Sequence, residues 1–332
     1  MHDIVVIGAS AGGVEALKEI SADLSPDLDA AIFVVVHISP DSSGLLPNIL
    51  NRHSKIPAHQ AQEGEAIRPG RIYVAPPDRH LLLERDEVRV VNGPRHNRHR
   101  PAIDLLFRTA ARHFGERVVG VVLTGFLDDG SSGLLAIHNA GGATIVQSPD
   151  DAEVASMPKN ALEQVQPDHC VPLAEIAGII NRLAGVEAPP MARRSNHKKK
   201  PEKKRAQTPV TCPDCHGTIW EVDENGEIRF ECRVGHSYSP EAMFQANDED
   251  VERSLWAALR SLEESAALEH RLAEMAEKRN RSHAHKRFSE KARERMQHAA
   301  VLREMLVGSR RRKSAAEGID KGPTTEELQE VS

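Results

Sequence analysis

A glycine-rich turn close to the start of the chain most constrains its fold. The run 3–7, which is apolar after Asp3, ends at Gly8. The chain continues through Ala9-Ser10-Ala11-Gly12-Gly13, and residues 14–20 have helical spacing. Ser10 is therefore predicted on a strand-to-helix turn, where the free N–H groups of the next helix point at its side chain. A serine placed there can act as a nucleophile beside a ready-made oxyanion site. A dinucleotide-binding loop and a plain structural turn stay open, although the dinucleotide fingerprint needs glycine where Ser10 stands.

The alternation of apolar runs and helical patterns over 1–188 predicts an α/β domain with a doubly wound, mainly parallel sheet. Runs such as 118–123 are continuously apolar, as expected for strands covered on both faces. The predicted strands are 4–7, 31–36, 71–74, 118–123 and 143–146, with a hairpin over 80–84 and 87–91. The predicted helices are 13–24, 43–52, 102–114, 132–139 and 173–183.

Two more strand ends carry the side chains that a serine nucleophile needs. His37 follows the strand 31–36, and Asp128-Asp129 follow the strand 118–123. The carboxyl ends of neighbouring parallel strands converge on one crevice, so we expect these side chains near Ser10. A histidine can take the serine proton, and a carboxylate can orient the histidine and stabilise its cation. The chain order Ser, His, Asp differs from that of α/β-hydrolases, which indicates triad chemistry on another scaffold.

Several segments of this region together resemble the catalytic domain of CheB-type chemotaxis protein-glutamate methylesterases. The likeness covers residues 3–185. Its segments are IGASAGG (7–13), VHISP (36–40), GRIYVAPP (70–77), HRPAIDLLF (99–107), and LTG (123–125) with Asp129-Gly130. The resemblance implies a serine esterase that hydrolyses glutamyl methyl esters on methylated chemoreceptor-like proteins. It also implies deamidation of receptor glutamines by the same acyl transfer, and no cofactor for catalysis.

The resemblance assigns a role to each site residue. It implies the nucleophile Ser10, the base His37, the orienting acid Asp129 rather than Asp128, and oxyanion N–H donors at Ala11 and Phe126. The chain departs from familiar members at Ala11, where they have threonine, and over 126–128, where they have Met-Gly-Asn. Familiar members also carry an N-terminal receiver domain, and this chain begins at the catalytic strand. A separate receiver protein acting in trans is therefore an expected partner.

A cluster of cysteines over 209–240 predicts a small zinc-ribbon-like module. Cys212 and Cys215 form a CxxC pair, and after sixteen intervening residues Cys232 and His236 form a CxxxH pair. Four such ligands suit a closed, tetrahedral, structural Zn²⁺ site.

Two alternatives at this cluster stay open, a redox dithiol and unligated cysteines. His216 is the substitute ligand if His236 is not one. Cys170 stands apart and is expected to be a buried structural thiol. Because no ligand comes from residues 1–188, we expect chemistry at Ser10 to be independent of the metal.

Composition excludes several classes of function. The net charge of −6 gives no general nucleic-acid signal, and 3% aromatic residues supply no platform for base stacking. The longest apolar run, 30–36, is too short to span a bilayer, so no membrane insertion is expected. The sequence shows no secretory signal, and clustered cysteines suit a reducing compartment. A cytoplasmic location follows as an expectation.

The remaining segments are read from charge and spacing. Residues 189–208 are basic and predict a solvated linker, with a nucleic-acid or acidic-lipid contact as the alternative. Apolar stripes over 241–309 predict a helical hairpin that either packs on itself or offers a groove to a partner. Residues 310–332 predict a disordered tail.

A second function stays open beside the esterase. The chain could be a non-catalytic regulatory binding protein that uses the zinc module and the helical hairpin, which the added segments suggest. The intact set Ser10, His37 and Asp129 argues against it. A nucleotide-binding protein is the weakest option, because no GK[ST] follows the glycine turn.

Overall fold

A computed structural model describes residues 2–184, 203–224 and 227–319. The strands of its amino-terminal region are β1 (Ile4–Ala9), β2 (Ala31–Val36), β3 (Ala58–Gln60), β4 (Arg71–Val74), β5 (His80–Leu83), β6 (Val88–Val91), β7 (Val118–Val122), β8 (Ala143–Gln147) and β9 (His169–Val171). In the described part of the chain, seven of them form one sheet in the order β3-β4-β2-β1-β7-β8-β9. Every pair in that sheet is parallel, and β5 and β6 form a separate antiparallel hairpin.

Helices cover both faces of this sheet. They are α1 (Gly13–Asp23), α2 (Leu46–Leu50), α3 (Ile103–Phe114), α4 (Ser131–Asn139), α5 (Ser156–Gln164) and α6 (Leu173–Ala184). Successive side chains of a strand point to opposite faces. Val5 and Ile7 of β1 therefore pack in the core with α1, α2 and α6, while Ile4 and Val6 pack with α3, α4 and α5. The doubly wound α/β fold predicted from sequence is confirmed.

The sheet changes its winding direction beside β1. β2 pairs with one edge of β1 and β7 pairs with the other, so the loops after these strands leave the sheet at one crevice. Ser10 follows β1, His37 follows β2, and Asp129 lies on the loop after β7. The topology thus brings residues that are distant in sequence to one edge of the sheet.

The sequence prediction missed two edge strands and one helix, and made another helix too long. β3, α5 and β9 were not predicted, and α2 is shorter than the predicted helix 43–52. β3 and β9 have three residues each and lie at the two ends of the sheet, where partial exposure leaves little apolar pattern. Cys170 on β9 is exposed. The prediction of a buried thiol is wrong, because β9 pairs with β8 on one side only.

A second, antiparallel sheet carries the cysteine cluster. Its strands are β10 (Lys203–Thr211), β11 (Thr218–Glu224), β12 (Glu227–Cys232) and β13 (Ser237–Tyr238). The predicted linker 189–208 is too long, because residues from 203 onward pair with β11 through their backbone groups, which basic side chains do not prevent. Residues 189–202 and the predicted Asn225-Gly226 turn lie outside the described residues.

Two long helices follow, α7 (Pro240–Lys278) and α8 (Ser282–Ile319). The compact unit that begins at Ala246 has its own small core. That core holds Leu259, Ala299 and Leu306, with Leu255, Trp256, Leu262 and Leu302 packed against it. The two helices therefore pack on each other, the first of the two alternatives. α8 extends to Ile319, so the predicted tail 310–332 starts too early, and residues 320–332 lie outside the described part.

No helix among the described residues is both long enough and apolar enough to cross a bilayer.

The strand β7 leaves little room for a side chain at Gly120. A Cβ atom there would lie 2.6 Å from Ile137 Cδ1 and 3.0 Å from Leu134 Cδ1, both buried on α4. We expect Gly120→Ala to lower the free energy of unfolding by about 1–3 kcal/mol, the usual cost of overpacking a core. Urea denaturation followed by circular dichroism measures the change.

Gly178→Ala is the matched control for this packing effect. Gly178 is exposed within α6, and an added Cβ would meet no atom within 4 Å. Alanine is about 1 kcal/mol more favourable than glycine inside a helix. The control should therefore be at least as stable as the parent, and equal losses in both variants would contradict the explanation.

Candidate active site

Backbone hydrogen bonds fix the turn that carries Ser10. The Ser10 N–H donates to the Thr124 carbonyl at 3.0 Å, and the His37 N–H donates to the Ala9 carbonyl at 3.1 Å. A Cβ atom on Gly125 would lie 2.7 Å from Ser10 Cβ, so glycine is needed for the loop after β7 to approach this closely. The three strand ends are therefore held together independently of the site side chains.

His37 and Asp129 are in direct contact. His37 Nε2 lies 2.8 Å from Asp129 Oδ2, and the two side chains are only 5% and 1% exposed. His37 Nδ1 is buried and has no hydrogen-bond partner among the described residues. In the neutral tautomer that donates from Nε2 to Asp129, Nδ1 is a free proton acceptor. Within the described residues Ser10 Oγ makes no hydrogen bond, so the structure joins the histidine to the carboxylate but not the serine to the histidine.

The Asp129 carboxylate is saturated with hydrogen-bond donors. Besides His37, its Oδ2 accepts the Ile103 N–H at 2.7 Å, and its Oδ1 accepts the Asp104 N–H at 3.2 Å and Asn97 Nδ2 at 2.9 Å. Burial alone would raise the pKa of Asp129, but the hydrogen bond and charge of His37 outweigh it and hold this pKa below the usual range. Asp129 therefore stays ionised although it is fully buried.

Two neighbouring carboxyl groups behave differently. Burial and the charge of Asp129 raise the pKa of Asp104 to about 7, although Asp104 Oδ1 accepts the Gly130 and Gly133 N–H groups at 3.0 and 2.6 Å. Burial raises the pKa of Asp128 to about 6. The Asp128 carboxyl group is hydrogen-bonded to Ser239 and not to His37. Of the Asp128-Asp129 pair, the structure thus places Asp129 on the histidine.

A second histidine supports the first. The His99 ring stacks on the His37 ring with centroids 3.5 Å apart and planes 7° apart. Burial, with a contribution from His37, lowers the pKa of His99 to about 3. His99 is therefore neutral near pH 7 and packs on His37 without placing a second positive charge beside it.

The two N–H groups predicted as oxyanion donors have no partners among the described residues. The N–H groups of the residues on either side of Phe126 do have acceptors. The Gly125 N–H donates to the Val154 carbonyl at 3.0 Å, and the Leu127 N–H donates to Ser156 Oγ at 3.1 Å. The Ala11 N–H lies at the turn before α1, whose first residue is Gly13. In this part of the chain, neither N–H group therefore has a protein acceptor that would compete with a ligand oxygen.

Sequence reasoning missed Asn97, His99 and Asp104 as parts of this site. His99 and Asp104 lie in the segment 99–107 that carries the family resemblance, so the signal was present without an assigned role. Asn97 has a positive φ of 47°. No sequence pattern predicts the contact of Asn97 with Asp129, because the two residues are separated by 32 positions in the chain.

The four predicted metal ligands converge at one point. Cys215 Sγ and Cys232 Sγ are 3.7 Å apart, and His236 Nδ1 lies 3.6 Å from Cys212 Sγ and 3.5 Å from Cys232 Sγ. All four ligand atoms lie within 4.8 Å of one another. Ligands at Zn–S and Zn–N distances of about 2.3 and 2.0 Å in a tetrahedron are about 3.5–3.8 Å apart, so this donor set fits. His216 is not part of the group.

A buried His–Asp pair and a serine on a strand-to-helix turn, together at the carboxyl edge of a parallel sheet, are typical of a hydrolytic enzyme. The family model described as CheB methylesterase matches residues 5–180. The chain belongs to the CheB methylesterase family.

Similar proteins agree with this membership. A Leptospira interrogans protein named as a protein-glutamate methylesterase/protein-glutamine glutaminase is 40% identical over 183 residues, which are 55% of this chain and 95% of that protein. An Anaeromyxobacter dehalogenans protein of the same name is 42% identical, over 55% of this chain and 52% of its own length. The crystal structure of the Thermotoga maritima CheB methylesterase catalytic domain matches with a TM-score of 0.54 and 31% identity, covering 55% of this chain and 99% of that domain.

The lowered pKa of His96, which lies in the loop before His99, makes the fold sensitive to acid. Burial and the neighbouring His80 lower this pKa to about 4, whereas an unfolded histidine titrates near 6.5. The folded state binds this proton more weakly than the unfolded state, so stability falls as the pH drops from about 6.5 to about 4. Between these pH values, the free energy of unfolding of His96→Gln should fall by roughly 1–3 kcal/mol less than that of the parent. Urea titrations at several pH values measure this difference, and parallel stability profiles would contradict it.

Proposed function

We propose that this chain is a serine esterase that hydrolyses glutamyl methyl esters on chemoreceptor-like proteins and releases methanol. The observation that carries the proposal is the buried His37–Asp129 contact of 2.8 Å at the sheet edge where Ser10 stands. Family membership and the names of the relatives support the substrate class. The relatives' names also support deamidation of receptor glutamines, which is the same acyl transfer with ammonia as the leaving group.

The proposed reaction begins with proton transfer from Ser10 to His37. Ser10 Oγ attacks the ester carbonyl, and the oxyanion accepts hydrogen bonds from the Ala11 and Phe126 N–H groups. His37 returns the proton to the departing methanol, and the glutamyl group stays on Ser10. Water activated by His37 then hydrolyses this acyl-enzyme, which regenerates Ser10 and leaves a glutamate carboxylate on the receptor. The ionised Asp129 stabilises the His37 cation in both steps, and no cofactor enters the chemistry.

We infer that the Cys212, Cys215, Cys232 and His236 group holds a structural Zn²⁺ ion. The support is the ligand spacing described above and the small buried core of the module. A closed site of four protein ligands stabilises the fold and has no open position for catalysis. The free cysteines also support a cytoplasmic location, where methylated receptor is the partner that we propose.

Ser10→Ala tests the nucleophile. We expect the rate of methanol release from methylated receptor to fall by about 10³-fold or more, because loss of a triad member removes the covalent step. Labelling by a fluorophosphonate should reach one per chain in the parent and vanish in the variant. Ser39→Ala is the matched control, since Ser39 is an exposed serine two residues after His37. Wild-type turnover in Ser10→Ala would contradict the mechanism. Failure of the fluorophosphonate to label the parent protein would favour the regulatory binding protein.

Elemental analysis tests the metal site. We expect close to one zinc per chain, and loss of zinc with local unfolding around the module in Cys212→Ser, because metal binding supplies much of the folding free energy of such modules. His216→Ala is the control and should keep its zinc, since His216 lies outside the ligand group. A zinc-free parent protein, or zinc lost from His216→Ala, would contradict this assignment.

A further inference from the structure

The cysteine module contacts the catalytic domain beside Asp129. Both belong to the compact unit 1–245. The Ser237 N–H donates to the Arg95 carbonyl at 3.3 Å, and the Asn97 N–H donates to the Ser237 carbonyl at 2.8 Å. The loop that holds Arg95 and Asn97 therefore runs along β13 as a backbone partner. This contact is a physical connection between the metal module and the Ser10 site, which the expectation of independence did not include.

The Asn97 side chain connects the module to the proposed triad acid. Its Oδ1 accepts the Ser239 N–H at 2.9 Å, and its Nδ2 donates to Asp129 Oδ1 and to Asp104 Oδ2, both at 2.9 Å. Asn97 is only 6% exposed. One amide orientation alone presents the oxygen to an N–H and the NH₂ to two carboxyl groups, so these partners fix the side chain.

Asn97 controls the Asp129 oxygen that does not face His37. Oδ2 is held by His37 and by the Ile103 N–H, whereas Oδ1 is held by Asn97 and by the Asp104 N–H. The Asp104 bond is the longer of the two at 3.2 Å, so Asn97 is the closer support. Without Asn97, Oδ1 would keep only the longer Asp104 bond, so we expect the carboxylate to be held less firmly and His37 to be less well aligned.

The metal ligands lead directly into this contact. His236 is followed by Ser237, Tyr238 and Ser239, and the Tyr238 hydroxyl lies 3.5 Å from Cys212 Sγ. Tyr238 is fully buried. Apart from the cysteines, the buried side chains of the strands β10 to β13 that are apolar or aromatic are Ile219, Val222 and Tyr238. We expect so small a core to need a bound metal ion to stay folded, so the contact with Asn97 should depend on the metal.

We propose that the metal-loaded cysteine module holds Asn97 against Asp129, so that loss of the metal lowers esterase activity at Ser10. Asn97 is a positioning residue, because it contacts the carboxylate and not the reacting atoms. This inference rests on the proposed esterase function. It adds that a module outside the matched region 5–180 sets the geometry of the site.

The first experiment compares the full-length chain with and without zinc on a small ester, which needs no receptor docking. We expect a chelator to lower kcat by about 10- to 100-fold with little change in KM, and added zinc to restore it. Hydrogen exchange gives a readout besides activity. The Ile103 and Asp104 amides, which donate to Asp129, should exchange faster without zinc, while amides of β8 stay unchanged.

The second experiment removes the connection and keeps the metal. Asn97→Gly deletes the side chain and suits the positive φ of 47° at this position. We expect a loss of kcat similar to that caused by chelation, with zinc content unchanged. Asn92→Gly is the matched control, since Asn92 is exposed in the same loop. Chelation of Asn97→Gly should lower kcat little further, because the two changes break one connection.

Three results separate the outcomes. If chelation leaves both kcat and the exchange of Ile103 and Asp104 unchanged, the inference is overturned. If the losses from chelation and from Asn97→Gly multiply, they act through separate routes and the inference is overturned as well. If the zinc-loaded parent shows no Ser10-dependent hydrolysis, the proposed function fails. The exchange measurement then still decides whether metal and Asp129 are coupled.

Discussion

The buried charge of Asp129 is the constraint on which the rest of the site depends. An ionised carboxylate inside a protein is strongly unfavourable unless donors replace its lost water. Here the donors come from separate segments: His37 after β2, Asn97 from the loop before α3, and two N–H groups at the start of α3. The amino end of α3 also contributes the positive end of its helix dipole. Satisfying one charge therefore fixes the relative positions of three segments.

The same requirement explains the surroundings of Asp129. A second carboxyl group, Asp104, lies on the same helix end and shares Asn97 with Asp129. Burial raises the pKa of Asp104 and the charge of Asp129 raises it further, while the contact with His37 keeps the pKa of Asp129 low. The stacked ring of His99 adds packing to His37 without competing for the charge. Burial and neighbouring charge thus give chemically similar groups different protonation states.

Much of the fold could be predicted from local sequence pattern. The five predicted strands of the sheet, the hairpin and the principal helices are present, because continuous apolar runs mark strands covered on both faces. Edge elements such as β3 and β9 escaped detection, since three half-exposed residues carry little pattern. The exposure of Cys170 and the early start of β10 follow from edge position and backbone pairing, which side-chain composition does not report.

The sequence by itself determined which residue types follow which strands, and therefore that a serine, a histidine and a carboxylate share one sheet edge, and that a set of four metal ligands follows later in the chain. Local spacing suffices for this, because strand ends and ligand pairs are short-range features. Only the tertiary structure decided that Asn97 joins the Asp129 carboxylate to Ser239. Asn97 and Ser239 lie 142 residues apart. Contacts at that separation arise when folding buries polar groups that must find partners, and no local pattern encodes which partner is found.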